Sequence, residues 1–97
     1  MPHEIRFVES AKRQLRAFDG RERTLIVAAV DDQLSHEPLV ETRNRKELRP
    51  NVIAPWELRV GDLRVFYEVA EPEVVTVLAI GEKRGSKLYI EGEEIQL

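Results

Sequence analysis

Trp56-Glu57-Leu58-Arg59-Val60-Gly61-Asp62-Leu63-Arg64-Val65-Phe66-Tyr67-Glu68-Val69 decides the fold. Trp56, Leu58 and Val60 alternate with Glu57 and Arg59, Gly61-Asp62 has the chemistry of a two-residue turn, and Leu63, Val65, Tyr67 and Val69 alternate with Arg64, Phe66 and Glu68. A period of two on both sides of a glycine-led turn predicts an antiparallel hairpin with one buried face. Across it Val60 faces Leu63, Arg59 faces Arg64 and Leu58 faces Val65, so two arginines become cross-strand neighbours. Like charges so placed destabilise a sheet unless something offsets them. A polyanion laid over two guanidinium forks is one such offset. Glu57 and Glu68, on the same face, are the other, and would make the set a solvated surface.

Downstream, Glu71-Pro72-Glu73 reads as a turn and Val74 to Ile80 as a continuous apolar strand, suited to a central position under the helices. Gly81 is expected to end it. A basic loop follows, Glu82-Lys83-Arg84-Gly85-Ser86-Lys87, and Leu88–Ile90 and Glu94–Leu97 can form a last short strand or hairpin around Gly92. Upstream, Arg45 to Arg49 fits an edge strand, with Pro50-Asn51 opening a loop that Pro55 closes.

Before Pro38 the period is helical. Ser10 can cap a first helix over Ala11–Phe18, with Ala11, Leu15 and Phe18 on one side and Lys12, Arg13 and Arg16 facing water. Asp19 and Glu22 form a capping-box pair for a second helix from about Arg21 to Leu34, with Leu25, Ile26, Ala29, Val30 and Leu34 as its apolar set. Ser35-His36-Glu37-Pro38 ends it, because the residue before a proline avoids helical angles. His3 to Val8, with Ile5, Phe7 and Val8, fits a short first strand. The expected architecture is α+β: an N-terminal strand and a helical hairpin packed on a twisted antiparallel sheet of four to five strands, in one domain spanning residues 1–97.

Ninety-seven residues leave room for one core. Hydrophobic residues at 42% and charged residues at 34% exclude a disordered chain. The absence of cysteine excludes disulfides and thiolate metal sites. No apolar run approaches the length of a membrane span, and Met1-Pro2-His3-Glu4 leads straight into a charged segment, so the reading is cytoplasmic and unanchored. His3 and His36 lack a companion at ligand spacing and read as surface residues. There is no glycine-rich phosphate loop and no serine or cysteine nucleophile pattern.

The net charge of −3 conceals an uneven distribution. Arg43 to Arg64 carries +3 and Glu82 to Tyr89 carries +2, which leaves the rest of the chain at −8. Positive potential is therefore confined to two stretches of an acidic protein. Lys83, Arg84 and Lys87 with Tyr89 supply what phosphate contacts and base stacking require, and Arg45, Lys46 and Arg59 extend the basic surface. RNA is the anionic partner these ingredients suit best.

The order of parts, with Leu58-Arg59-Val60-Gly61-Asp62-Leu63-Arg64-Val65-Phe66-Tyr67-Glu68-Val69 and Val77-Leu78-Ala79-Ile80-Gly81 followed by Lys83-Arg84 and Tyr89, resembles the RelE/ParE toxin superfamily over nearly the whole chain. For RelE-type members the resemblance implies metal-independent cleavage of mRNA on the ribosome, by attack of a ribose 2′-hydroxyl on the adjacent phosphate. That reaction needs a base, positive charge for the phosphorane and a proton for the leaving oxygen. The resemblance gives Arg64 the phosphate-stabilising role, Lys83 or Arg84 that of second cation, and Tyr89 that of stacking on or deprotonating the nucleotide, with Arg59 and Lys87 as further RNA contacts. Where RelE-type members carry lysines, Pro55-Trp56-Glu57 stands here, so Glu57 substitutes as base, or Arg45 and Lys46 reach in. A ParE-type inhibitor of DNA gyrase, and an inactive module that binds its antitoxin, are the alternatives. An antitoxin folding over the basic face, in a hetero-oligomer, is the implied partner in each; no cofactor is implied.

Overall fold

The computed structural model describes residues 2–70 and 72–97. The chain runs β1 (Glu4–Phe7), α1 (Glu9–Ala17), α2 (Gly20–Leu34), β2 (Arg45–Glu47), β3 (Trp56–Val60), β4 (Leu63–Ala70), β5 (Val74–Arg84), β6 (Lys87–Ile90) and β7 (Glu93–Ile95). The strands form a seven-stranded sheet in the order β2-β3-β4-β5-β6-β7, with β1 added to β5. The α+β class is as expected, while the sheet is larger than four or five strands. The edge strand expected within Arg45–Arg49 is the three-residue β2; the larger count comes from the tail, which forms both β6 and β7, and from β1, which joins the same sheet.

The β3–β4 hairpin has the register read from its alternation: Leu58 opposite Val65, Arg59 opposite Arg64, Val60 opposite Leu63. Gly61 takes φ 62° at the first turn position, a conformation that costs glycine nothing. Leu58, Val65 and Tyr67 are fully buried beneath the helices with Ile26, Val30, Leu34, Val75, Val77 and Ile80. Phe66 points the other way, into a second cluster with Ala54, Ala79, Leu88 and Ile90. Both faces of the central strands are thus partly covered, which explains the near-continuous apolar run of β5.

Two helices cover one face. Asp19 Oδ1 accepts from the Glu22 N–H at 2.8 Å and Glu22 returns a bond to the Asp19 N–H, so the expected capping box forms. In α1 the N-cap is Val8 rather than Ser10, and its side chain makes no cap bond. The buried stripe of α1 holds Ala11 and Gln14, whereas Leu15 and Phe18 are only half-buried. Leu25, expected in the core face of α2, is half exposed.

β1 runs parallel to β5, from Glu4 opposite Val74 to Phe7 opposite Val77, so the sheet is not wholly antiparallel. The turn expected at Glu71-Pro72-Glu73 begins at Glu71, which lies outside the described residues. Gly81 does not end β5. The strand continues to Arg84, turns through Gly85 and Ser86 with Gly85 at φ 65°, and returns as β6. Gly81 serves instead for close approach, since a Cβ there would lie 2.5 Å from the Tyr89 carbonyl oxygen and 2.8 Å from Ile90 Cγ1. Residues 81–89 are therefore a hairpin, not a loop, and this decides which face each cation occupies.

Candidate anion-binding cleft

Residues directly opposite one another in a ladder share a face, and successive residues alternate. One cross-strand row on the face away from the helices is Lys46, Glu57, Phe66 and Ala79; the next is Arg59, Arg64 and Gly81, beyond which Lys83 stands opposite Leu88. Lys46, Glu57, Arg59, Arg64 and Lys83 accordingly line one open cleft of about 580 Å³, and Lys87, opposite Arg84 at the end of the β5–β6 hairpin, also borders it. Its other wall is aliphatic, built from Leu48, Leu88, Ile95 and Leu97. Five cations against Glu57 and Glu94 make this a positive cleft on an acidic protein.

The two arginines differ. Arg59 is exposed, whereas the Arg64 side chain is 13% accessible and that of Glu57 8%. Arg64 Nε lies 3.2 Å from Glu57 Oε1, close enough for an ion pair but misaligned for a hydrogen bond, so this buried N–H has no hydrogen-bond acceptor among the described residues. Arg64 Nη1 donates to the carbonyls of Gly61 at 2.7 Å and Leu63 at 2.9 Å. The like-charge pair is thus offset by Glu57 from within the protein, while Glu68 is exposed. The guanidinium is held in place before any ligand arrives, while its Nε–H is buried without an acceptor, an energetic cost to the fold.

Three expected site residues lie elsewhere. Arg84 follows Lys83 on a strand and so faces the helices, where it bonds Glu82 at 2.7 Å and sits 4.6 Å above the Tyr89 ring. Tyr89 pairs with Glu82 and borders a separate cleft beside α1, on the face opposite Arg64. Arg45, opposite Leu58 in the ladder, spends its guanidinium on Val40 O, Gln33 O and Gln33 Oε1 at the end of α2. The open face therefore carries Arg59, Arg64 and Lys83, but not Arg84 and Tyr89. Of the two candidates Lys83 and Arg84, Lys83 is the one that lines the cleft with Arg64.

Sequence reasoning missed Leu48 and the tail residues Glu94, Ile95, Gln96 and Leu97 as cleft walls; Glu94 reaches Lys87 at 3.9 Å. The brevity of β7 hid them, since three residues carry too little alternation to place a strand. Gln14 was also missed. It falls three residues after Ala11, on the buried stripe, and a polar residue there was the available signal. Among the described residues, no group of three or more histidine or acidic side chains is placed to hold a metal ion, and no helix is long and apolar enough to cross a membrane.

A helical hairpin on one face of a twisted sheet and a basic cleft on the other define a RelE-like toxin fold. The family model for the ParE toxin of type II toxin-antitoxin system, parDE, matches residues 5–86, and the chain belongs to that family, within the RelE/ParE superfamily. The chain is also similar to a solved chain of the toxin-antitoxin complex RelBE2 from Mycobacterium tuberculosis, with 27% identity and a TM-score of 0.73, over 86% of this chain and 93% of that one. No curated protein sequence matched. The protein is a toxin of a type II toxin-antitoxin system.

Proposed function

We propose that this toxin acts on translated mRNA, binding its phosphate backbone in the open-face cleft and cleaving it there by 2′-hydroxyl attack, with the ribosome supplying substrate geometry. The observation that carries the reading is the convergence of Arg59, Arg64 and Lys83 with the carboxylate Glu57 in one cleft. Glu57 takes the 2′-hydroxyl proton, Arg64 and Arg59 stabilise the phosphorane, and Lys83 supplies charge and a proton to the leaving 5′-oxygen. Lys46 and Lys87 hold flanking phosphates. The match to a chain from a toxin-antitoxin complex supports an antitoxin as partner, and a segment carrying acidic residues suits the cleft.

A second reading, inhibition of DNA gyrase by binding without cleavage, is favoured by two features: Arg64 is held by Glu57 and two carbonyls, and Tyr89 is turned away. Induced expression in a bacterial host, with primer extension on a translated reporter, separates the two. Cuts within codons that vanish with Lys83→Ala are expected. Growth arrest without cuts would assign the toxin to gyrase instead.

A further inference from the structure

Gln14 lies on α1 and is only 7% exposed, and its Oε1 accepts the Ile80 N–H at 2.7 Å. The bond fills a gap in the sheet. β1 accompanies β5 as far as Val77 and β6 joins it at Glu82, so between them β5 has no strand on that edge. With Oε1 committed, the amide orientation is fixed, and among the described residues the Gln14 amide nitrogen donates to no acceptor. Gln14 borders a cleft of about 490 Å³ between α1 and the β5–β6 hairpin, so the part of its amide still accessible opens into that space.

The rest of the cleft has a graded chemistry. Phe18, Ile80 and the Tyr89 ring make its walls, and Glu22, Glu82 and Glu91 stand at its mouth. Arg13, the cation in the lining, is already bonded to Glu91 at 2.7 Å, and Arg84, beside the Tyr89 ring, to Glu82 at 2.7 Å, so among the described residues Glu22 is the mouth carboxylate that no cation holds. An occupant must offer an acceptor at depth, apolar surface along its length and positive charge at the mouth. An arginine or lysine residue of an extended peptide offers all three: a backbone carbonyl for Gln14, a methylene stem for Phe18 and Ile80, and a cation for Glu22.

We propose that this cleft is a docking site for a short basic segment of a partner protein, seating one arginine or lysine side chain. It lies on the opposite side of the sheet from the Arg64 cleft, so it can be filled independently of the toxin's action there. The test is an NMR titration of the isotope-labelled full chain with N-acetyl-glycyl-arginine amide, against the norleucine counterpart as the uncharged control. Saturable shifts at the Gln14 side-chain amide and the Tyr89 ring are expected, with norleucine binding about fivefold more weakly, the loss of one partly exposed ion pair. Glu22→Gln preserves the capping box, because glutamine serves at that position, and should weaken arginine binding by a similar factor. Equal affinity for the two probes, shifts confined to the Arg64 cleft, or native affinity in E22Q would each overturn the assignment.

Discussion

Arg64 and Glu57 hold each other on the open face of the sheet, Nε to Oε1 at 3.2 Å, with both side chains largely withdrawn from water. The residue with the most direct claim to phosphate chemistry is therefore also a structural one. Replacing Arg64 by alanine leaves a buried carboxylate without its counter-charge, which costs more than the pair itself contributes. We expect Arg64→Ala to lower stability by about 2–3 kcal/mol in urea denaturation. The double variant with Glu57→Ala should recover about 1–2 kcal/mol of that loss. Arg64→Ala alone is a poor probe of toxicity unless its folded fraction is measured beside it.

Lys83 and Arg84 are consecutive cations on opposite faces, and this gives the sharpest test of the site. Lys83→Ala removes charge from the open cleft and should abolish or strongly reduce growth arrest on induction. Arg84→Ala removes only an exposed pair with Glu82 and a ring contact with Tyr89, and should leave both growth arrest and stability nearly unchanged. Tyr89→Phe, which keeps that ring, should also remain toxic. A toxic Lys83→Ala beside an inactive Arg84→Ala or Tyr89→Phe would refute the assignment of faces.

How far the sequence could be read depended on alternation. From Trp56 to Val69 the period of two is long enough to set the register, the turn and the facing of Arg59 and Arg64 together. The capping box of α2 was legible because Asp19 and Glu22 are local to each other. The placement of Arg84 and Tyr89 failed at one glycine. Gly81 carries the chemistry of a strand end, yet here it answers a packing need across the sheet that nothing in the neighbouring residues announces. Once it is read as a stop, the residues after it become a loop in which cations can gather on one side; as a strand they must alternate. Arg45 was misplaced for a related reason, since its acceptors at Gln33 and Val40 come from chain folded back upon it.

Gly81 is accordingly predicted to be intolerant of any side chain. An alanine Cβ would stand 2.5 Å from a backbone oxygen of β6, which cannot swing aside as a side chain can. Gly81→Ala should cost about 1–3 kcal/mol, with the damage concentrated at β6 and β7. Hydrogen exchange should show the amides of residues 87–95 losing protection well before those of the β3–β4 hairpin. Uniform loss throughout the sheet would mean that the tail strands unfold only with the core.

Tyr67 ties the sheet to the end of the helical hairpin and sets a limit at high pH. Its ring is fully buried and its hydroxyl donates to the Pro38 carbonyl at 2.6 Å. Burial, which disfavours the tyrosinate, raises its pKa well above the ordinary value, and the positive charge of Arg45 only partly opposes this. In the unfolded chain the phenol titrates near about 10, so below that pH both states hold the proton and the contribution is constant. Above it the unfolded state ionises first, and stability falls as pH rises through the folded-state value. Tyr67→Phe should lose about 1–2 kcal/mol at neutral pH, because the Pro38 carbonyl is left unpaired. The same variant should decline less steeply than the native chain above about pH 10, since the ionising group is gone. Urea melts at pH 7 and pH 10.5, read alongside tyrosinate absorbance, check both parts, and parallel declines in the two proteins would show that Tyr67 is not the group responsible.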